Sequence, residues 1–224
     1  MTNPDNDMFN ASELYLLARA FDAETIVGLP DKRIFQLLGN DIFEAAYRRL
    51  ANKGFFTEQG KLTENGYVVI KALQQYCQSD KYVRINQATF AFRKDAKEEL
   101  IILYEPLDGS EKYKLLMFSK DIAMGWLNFS FPFIAKEPKE DPGDFVKKPL
   151  LHREKHELDD FEPEYILDIE SFDLDNKKPK QRWLIFEKDE KLISVNTEGW
   201  KYYYASQKWL KKMLLNELSQ EAKT

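Results

Sequence analysis

Residues 41–77 constrain the fold of this chain more than any other stretch, because they predict two helices joined by a short loop. Apolar residues recur at helical spacing over 41–53, with charged residues between them. Gly54 stands where a left-handed residue commonly ends a helix, and Thr63 stands where a hydroxyl caps the next one. Helix, short wing and helix are the outline of a winged-helix unit. A winged-helix-like helical segment is therefore predicted over residues 1–79.

An earlier helix is predicted within the same segment. Asn10 and Glu13 have the spacing of a capping box, in which each side chain accepts a hydrogen bond from the other residue's backbone N–H. Behind them, four apolar residues recur at helical spacing: Leu14, Leu17, Ala18 and Phe21. This helix is expected to bury that face in the core.

The apolar period changes from helical spacing to two at about residue 80, which predicts strands. The clearest hairpin is ELIILYEPLDGSEKYKLLMF (99–118), in which Asp108–Gly109 supplies the turn. A bulge or bend is predicted near Asn86–Gln87, because the apolar phase slips there. GWLNFSFPFI (125–134) is interpreted as an additional strand. Together these elements make residues 80–135 a first β-hairpin region.

A charged, proline-rich linker or loop is predicted over residues 136–163, followed by a second β region with a C-terminal helix over 164–224. The second region contains a hairpin around Lys188–Lys191 and ends in an amphipathic helix at SQKWLKKMLLNELS (206–219). Segregated helices and strands predict an α+β fold with a mainly antiparallel sheet, in which all four segments form one compact unit.

Composition favours a cytosolic protein that does not insert into a membrane. The 33 basic and 38 acidic side chains give a net charge of −5, so there is no general attraction to phosphate backbones or anionic lipid. The single cysteine cannot form an internal disulfide, which favours a reducing compartment. The N-terminal residues lack a signal-peptide pattern, and the longest apolar stretch, 122–135, is shorter than the roughly 20 residues that cross a bilayer.

The charge of the helical segment argues against DNA binding. Helix 41–53 carries Arg48, Arg49 and Lys53, which could face a phosphate backbone. However, residues 1–80 hold 8 basic and 11 acidic side chains, and the predicted wing offers Lys61 against Glu58. Nucleic acid is therefore not the expected partner, although a winged-helix transcriptional regulator using Arg48 and Arg49 is kept as the alternative.

The sequence predicts no metal, no cofactor and no catalytic group. His152 and His156 share the spacing of one helix face, but they match no metalloprotease motif and are interpreted as solvated. Residues 173–178 begin like a calcium loop and then place lysines at the ligand and glycine positions. Cys77 is interpreted as a small buried hydrophobe rather than a nucleophile. The protein is accordingly predicted not to be an enzyme.

Two aromatic clusters are the candidate protein-binding surfaces. Core packing is the default interpretation of each, but WKYYYA (200–205) places aromatic side chains on both faces of a strand. One of those faces must contact a second layer or a partner, and exposed aromatic patches mark interfaces. The candidate partner-binding residues are Trp126, Phe129, Phe131, Trp200, Tyr202 and Tyr203.

The chain resembles the EspG-type proteins of type VII secretion systems. Four stretches carry the resemblance: SELYLLARAF (12–21), which matches ELxxLAR; RLANKGFF (49–56), which matches a helix ending in LxxxGxx; ALQQYCQSDKYVRIN (72–86); and LISVNTEGWKYYYASQKWLKKMLLNEL (192–218). The resemblance implies a cytosolic, non-enzymatic chaperone that holds a helical secretion substrate in soluble form. It supplies no binding residue for this chain.

The sequence therefore favours a protein-binding chaperone or adaptor for a small helical substrate of a type VII-like secretion system. In this interpretation an exposed sheet face and the terminal helix cover apolar surface on the partner. A third possibility is a cytosolic immunity protein. Residues 154–175 contain 10 acidic side chains and one lysine, and such a run could receive a basic toxin.

Overall fold

The computed structural model describes residues 7–39, 41–137, 148–173 and 178–219. The chain divides into two compact units. Unit 1 contains the described residues up to Tyr82 together with Gln87–Phe118, and unit 2 contains Val83–Asn86 and the described residues from Ser119 onward. Helices and a large antiparallel sheet make up these residues, so the predicted α+β class is confirmed.

Unit 1 begins with a short strand followed by helices. The elements are β1 (Met8–Asn10), α1 (Ala11–Ala18), a 3-10 turn (Arg19–Phe21), α2 (Lys32–Leu37), α3 (Asp41–Asn52) and α4 (Glu64–Cys77). Glu13 accepts a hydrogen bond from the Asn10 backbone N–H at 2.7 Å, as the capping-box spacing predicts. The inner faces of α1, α3 and α4 are buried at Leu14, Leu50 and Leu73.

The loop between α3 and α4 has the turn chemistry that its sequence indicates. Gly54 ends α3 with φ of +78°, and the Thr63 hydroxyl accepts a hydrogen bond from the Gly66 N–H at 3.2 Å at the start of α4. Phe56 and Leu62 form an isolated antiparallel bridge across the loop. Helix, bridged loop and helix are thus present, while their identity as a winged-helix unit stays a prediction.

The strands of unit 1 are ordered β1-β5-β4-β3, where β3 is Ala88–Phe92, β4 is Glu99–Tyr104 and β5 is Lys112–Ser119. Strands β4 and β5 are hydrogen-bonded neighbours, so the hairpin predicted over 99–118 is confirmed. Of the bulge or bend predicted near Asn86–Gln87, the structure has the change of direction and not the bulge. Those two residues form a turn, in which Asn86 has φ of +50°, a conformation that asparagine tolerates better than most residues.

Unit 2 contains a second run of antiparallel strands. Its order is β2-β7-β8-β9-β10-β6, with β2 at Lys81–Ile85 (of which Val83–Ile85 belongs to this unit), β6 at Lys148–Pro149, β7 at Leu167–Asp173, β8 at Lys178–Lys188, β9 at Lys191–Asn196 and β10 at Lys201–Ala205. Lys188 pairs with Lys191 across a two-residue turn, which confirms the second predicted hairpin. Asp189 and Glu190 both have positive φ, as a type I′ turn requires.

Helices replace the strand predicted over 125–134. The structure has α5 (Lys120–Ser130) and α6 (Pro132–Ala135), so that prediction is wrong. Ser119 caps α5 by accepting a hydrogen bond from the Ile122 N–H at 3.3 Å, and Pro132 occupies the first turn of α6, where its missing N–H costs nothing. The aromatic residues of this stretch favour β structure, whereas Ser119 and Pro132 are typical of helix starts.

Two short elements lie in the part of residues 136–163 that the structure describes. They are β6 and the helix α7 (His152–His156). Pro138 and Pro142, on which the linker prediction partly rests, lie outside the described residues. The C-terminal helix α8 (Gln207–Glu217) is present as predicted, and it buries Leu210 and Leu214. Within the described residues, no helix combines the length and apolar character that a bilayer crossing needs.

Candidate functional site

An exposed apolar stripe runs along helix α5. It consists of Ile122, Trp126 and Phe129, whose spacing of four and three residues places them on one face of the helix. Phe129 is 87% exposed and Ile122 is 57% exposed, while Trp126 is half-buried. Ala123 and Leu127 anchor the adjacent face, because both are buried. We call Ile122, Trp126 and Phe129 the α5 stripe.

The remaining aromatic residues of the first cluster belong to the interior of unit 2. Phe131 is buried, and its ring centroid lies 6.1 Å from that of Phe133, which is also buried. The chain bends at Phe131, whose backbone N–H still donates to the Leu127 carbonyl at 2.9 Å. The structure therefore places Trp126 and Phe129 at the surface but not Phe131.

The second aromatic cluster is divided between the two faces of β10. Tyr202 and Tyr204 pack against a buried group of three residues, Leu150, Ile193 and Val195. Tyr203 points to the opposite face, where its ring centroid lies 6.4 Å from that of Trp183. Trp183 in turn makes an edge-on contact with Trp209 of α8, at 5.6 Å between centroids. Tyr203 thus contributes to the packing between sheet and terminal helix.

A groove of about 550 Å³ lies beside Trp200 and Tyr202. Trp200 is 63% exposed and has φ of +47° in the turn before β10, and Tyr202 forms part of the floor. Lys155 of α7 lies 5.7 Å above the Tyr202 ring, a cation–π distance. Two of the six predicted partner-binding residues therefore meet in one groove, away from the α5 stripe in the sequence. We call this pocket the Trp200 groove.

The two histidines also line the Trp200 groove. They lie on α7 as their spacing requires, with ring centroids 4.5 Å apart, and His156 Nδ1 is 3.0 Å from the Asp159 carboxylate. A metal site needs further ligands. Among the described residues, no three histidine, cysteine or acidic side chains are grouped so that they could hold a metal ion. The calcium-like stretch 173–178 lies largely outside the described residues, which omit 174–177.

Two of the three basic residues of helix α3 pair with a buried carboxylate of α1. Glu13 has no exposed surface, and its carboxylate accepts hydrogen bonds from Arg49 Nε at 3.2 Å and from Lys53 Nζ at 2.8 Å. Arg49 also donates to the Ser12 hydroxyl at 3.1 Å, and Lys53 donates to the Met8 carbonyl at 2.6 Å. Two of the three cations that a DNA-binding helix would use are therefore engaged inside unit 1.

Sequence reasoning missed this cluster, although one signal for it was present. Glu13 was assigned to a capping box, which uses one of its oxygens on the Asn10 N–H. The other hydrogen bonds to Glu13 come from Arg49 and Lys53, which lie 36 and 40 positions later in the chain. A buried carboxylate needs compensating charge. The available hint is that Glu13 lies close to Leu14 and Leu17 on a helix that is expected to be buried.

The Cys77 thiol is largely buried, and two carboxylates of the acidic run are paired with arginines. Burial raises the pKa of the Cys77 thiol to about 12, so it is a poor nucleophile near neutral pH. In the acidic run, Asp168 pairs with Arg182 at 2.7 Å and Glu170 pairs with Arg84. These two carboxylates form ion pairs between strands of the sheet, while Glu157 and Asp159 are exposed at the surface.

The chain belongs to the family described as Domain of unknown function (DUF5081), whose model matches residues 3–224. It is also similar to the Type VII secretion system protein EsaE of Staphylococcus aureus, strains USA300 and NCTC 8325 / PS 47. In both comparisons the identity is 30% over 111 residues, which cover 50% of this chain and 49% of the relative. The match thus spans about half the length of these relatives.

Proposed function

We propose that this protein is a non-enzymatic chaperone or adaptor that binds a helical substrate of a type VII-like secretion system in the cytoplasm. The α5 stripe carries the proposal, because a phenylalanine that is 87% exposed beside Ile122 is best explained by a partner that covers it. The similarity to EsaE supplies the secretion context. The resemblance to EspG-type proteins supplies the chaperone activity, and both are carried over here as proposals.

The proposed mechanism is shielding of an amphipathic helix. A partner helix would lay its apolar face along the α5 stripe, as in helix-in-groove recognition. Burying Ile122 and Phe129 would contribute roughly 1.5–3 kcal/mol for each side chain, less the cost of ordering the complex. The partner's apolar face would then be protected from aggregation until export.

The structure changes which surface is assigned to the partner. The terminal helix had been expected to cover the substrate, but its apolar stripe packs inside unit 2 at Leu210, Leu214 and Leu218. The Tyr203 ring likewise packs against Trp183 within unit 2. The α5 stripe is therefore assigned as the main contact, and the Trp200 groove as a second candidate surface.

A winged-helix regulator is the alternative, and the α3 geometry weakens it. Salt-dependent DNA binding needs several free cations, and Arg49 and Lys53 are both engaged by Glu13. We infer that the helix–loop–helix of α3 and α4 is a winged-helix-like scaffold that serves packing rather than DNA contact. The immunity-protein reading has less support, since Asp168 and Glu170 of the acidic run are already paired with arginines.

The test is a tagged capture from the native host, with bound proteins identified by mass spectrometry. The full chain is compared with a Trp126→Ala/Phe129→Ala double variant. Leu215→Ala is the matched control, because Leu215 is 58% exposed on α8 of the same unit. We expect the full chain and the control to retain a small helical secreted protein. The double variant should retain at least about tenfold less, as truncation of interface anchors commonly does.

Other outcomes would redirect the assignment. Equal recovery by the double variant and the control would remove the α5 stripe, and loss on Trp200→Ala alone would move the contact to the Trp200 groove. Recovery of DNA that salt releases would favour the regulator. Recovery of a basic toxin instead of a secreted helical protein would favour the immunity protein.

A further inference from the structure

A depression of about 590 Å³ lies on the surface of unit 1 between α1 and α3. Its lining comes from the end of α1, the turn after it and one face of α3. The lining residues are Leu16, Arg19, Phe43, Glu44, Tyr47 and Arg48. We call this the α1–α3 depression. It is separate in sequence and in unit from the α5 stripe and the Trp200 groove.

The two arginines of the α1–α3 depression differ from the other arginines of the chain. All eight arginines lie in the described residues. Six of them form ion pairs with carboxylates: Arg33, Arg49, Arg84, Arg93, Arg153 and Arg182. Arg19 and Arg48 form no ion pair with any described residue, and both are exposed. The only unpaired guanidinium groups of the described chain therefore line the same depression.

Arg19 is held in place by an aromatic ring. Its guanidinium carbon lies 4.6 Å from the centroid of the Phe43 ring, which is a cation–π contact. Stacking restricts the side chain before any ligand arrives, so less entropy is lost when a carboxylate binds. The cation is thus positioned while its hydrogen-bond donors stay available.

The remaining lining is apolar enough to take a hydrophobic side chain. Phe43 and Leu16 are at least partly buried, and Tyr47 is 41% exposed with its ring centroid 4.9 Å from that of Phe56. Glu44 is the one acidic residue in the lining, and it makes no ion pair with Arg48 although it lies one turn away. Two guanidinium groups and one carboxylate leave the depression with a net positive charge on an otherwise acidic chain.

We propose that the α1–α3 depression binds an acidic segment of a protein partner, in which carboxylates flank an apolar side chain. The carboxylates would accept hydrogen bonds from Arg19 and Arg48, and the apolar side chain would contact Phe43 and Tyr47. A protein is favoured over nucleic acid because two free cations neutralise too few phosphates and the floor is apolar. This inference goes beyond the proposed function, since it needs no secreted substrate and uses another unit.

The experiment measures fluorescence anisotropy of labelled synthetic peptides with the full-length protein. The probe is a helical peptide of about 16 residues, roughly four turns, with glutamates flanking a central leucine face. The matched probe carries glutamine in place of each glutamate. We expect the glutamate peptide to bind about tenfold more tightly than the glutamine peptide, because charge-assisted hydrogen bonds are stronger than neutral ones. Added salt should weaken its binding by screening the exposed charges.

Variants locate the binding and guard against loss of fold. Arg19→Gln and Arg48→Gln should each weaken the glutamate peptide about three- to tenfold. Arg33→Gln removes the same charge from unit 1 outside the α1–α3 depression and should leave binding unchanged. Circular dichroism confirms that each variant is folded. Phe129→Ala should bind the peptide like the unmodified chain, which separates this inference from the proposed function.

Several results would overturn the inference. Absence of glutamate-peptide binding to the unmodified chain would do so, as would equal affinity for the glutamine peptide. Equal weakening by Arg33→Gln would show that general charge, rather than the α1–α3 depression, is responsible. Competition by duplex DNA at lower concentration than the peptide would assign the site to nucleic acid instead.

Discussion

Replacing Glu13 by glutamine is expected to destabilise unit 1 by about 2–3 kcal/mol, because it removes the charge that holds two cations of α3. The Glu13 carboxylate has no exposed surface. It accepts from Arg49 at 3.2 Å, from Lys53 at 2.8 Å and from the Asn10 backbone N–H at 2.7 Å. Glutamine keeps the size of the side chain and one acceptor oxygen, so the substitution tests the charge.

The magnitude follows from how exposed each partner is. Breaking a buried ion pair by removing one partner typically costs about 3–5 kcal/mol, since the other charge is left uncompensated. The Lys53 side chain is 15% exposed and would carry most of that penalty. The Arg49 side chain is 41% exposed, so water can solvate it and its share must be discounted. The retained hydrogen bond to Asn10 reduces the cost further.

Urea unfolding followed by circular dichroism measures the effect. With a slope of about 2 kcal/mol per molar urea, the expected loss shifts the midpoint by roughly 1–1.5 M. Asp80→Asn is the matched control in the same unit, because Asp80 pairs with Lys94 at 2.8 Å while both side chains are exposed, at 82% and 60%. That control should lose less than about 1 kcal/mol. Equal shifts for the two variants would refute the assignment of Glu13 as a buried counter-charge.

Further predictions concern a glycine in α4, a glycine in α5 and the cysteine at the end of α4. Gly66→Ala should destabilise unit 1 by about 1–3 kcal/mol, because an added Cβ would lie 2.6 Å from the Phe55 carbonyl oxygen. An added Cβ at Gly125 in α5 would meet no described neighbour within 4 Å, so Gly125→Ala should instead stabilise by up to about 1 kcal/mol. A loss of stability at both positions in urea titrations would contradict this reasoning. The Cys77 thiol, whose pKa burial raises from 9.0 to about 12, should react with iodoacetamide at pH 9 far more slowly in the folded protein than in urea. Its contribution to stability is fully present below about pH 9 and is lost as the pH rises towards 12, so Cys77→Ala should flatten the pH profile of the urea midpoint there.

The sequence predicted those elements whose signals are local. Gly54 and Thr63 mark the ends of two helices, and both perform the roles that their residue types indicate. The turn at Lys188–Lys191 was found because two apolar runs flank it. The terminal helix was found from its apolar spacing. In each case a few neighbouring residues decide the backbone conformation.

The prediction over 125–134 was wrong because two local signals disagreed. The aromatic residues of that stretch prefer strands, while Ser119 and Pro132 favour helix starts. The spacing of Ile122, Trp126 and Phe129 at four and three residues also favours a helix, and it includes Ile122, which lies before the predicted strand. The error mattered for the site, because a strand would have separated Trp126 and Phe129 onto opposite faces.

The exposure of the candidate partner-binding residues could be predicted only in part, because exposure is a property of the whole fold. Trp126 and Phe129 lie on the surface stripe, and Trp200 and Tyr202 line a groove. Phe131 is buried, but nothing in its neighbourhood along the chain distinguishes it from Phe129. The distinction arises where α5 ends and the chain turns into α6.

Helix α3 shows why the number of basic residues along a helix does not by itself determine what the helix binds. Arg48 and Arg49 are adjacent in sequence, yet they lie about 100° apart around the helix and meet different surroundings. Arg49 forms an ion pair with Glu13 of α1, whose buried carboxylate requires a compensating positive charge. Arg48 forms no ion pair with a described carboxylate, and it lines the α1–α3 depression with Arg19. One buried acid therefore removes the cations that would favour DNA and leaves a smaller, partly apolar surface that suits an acidic protein segment.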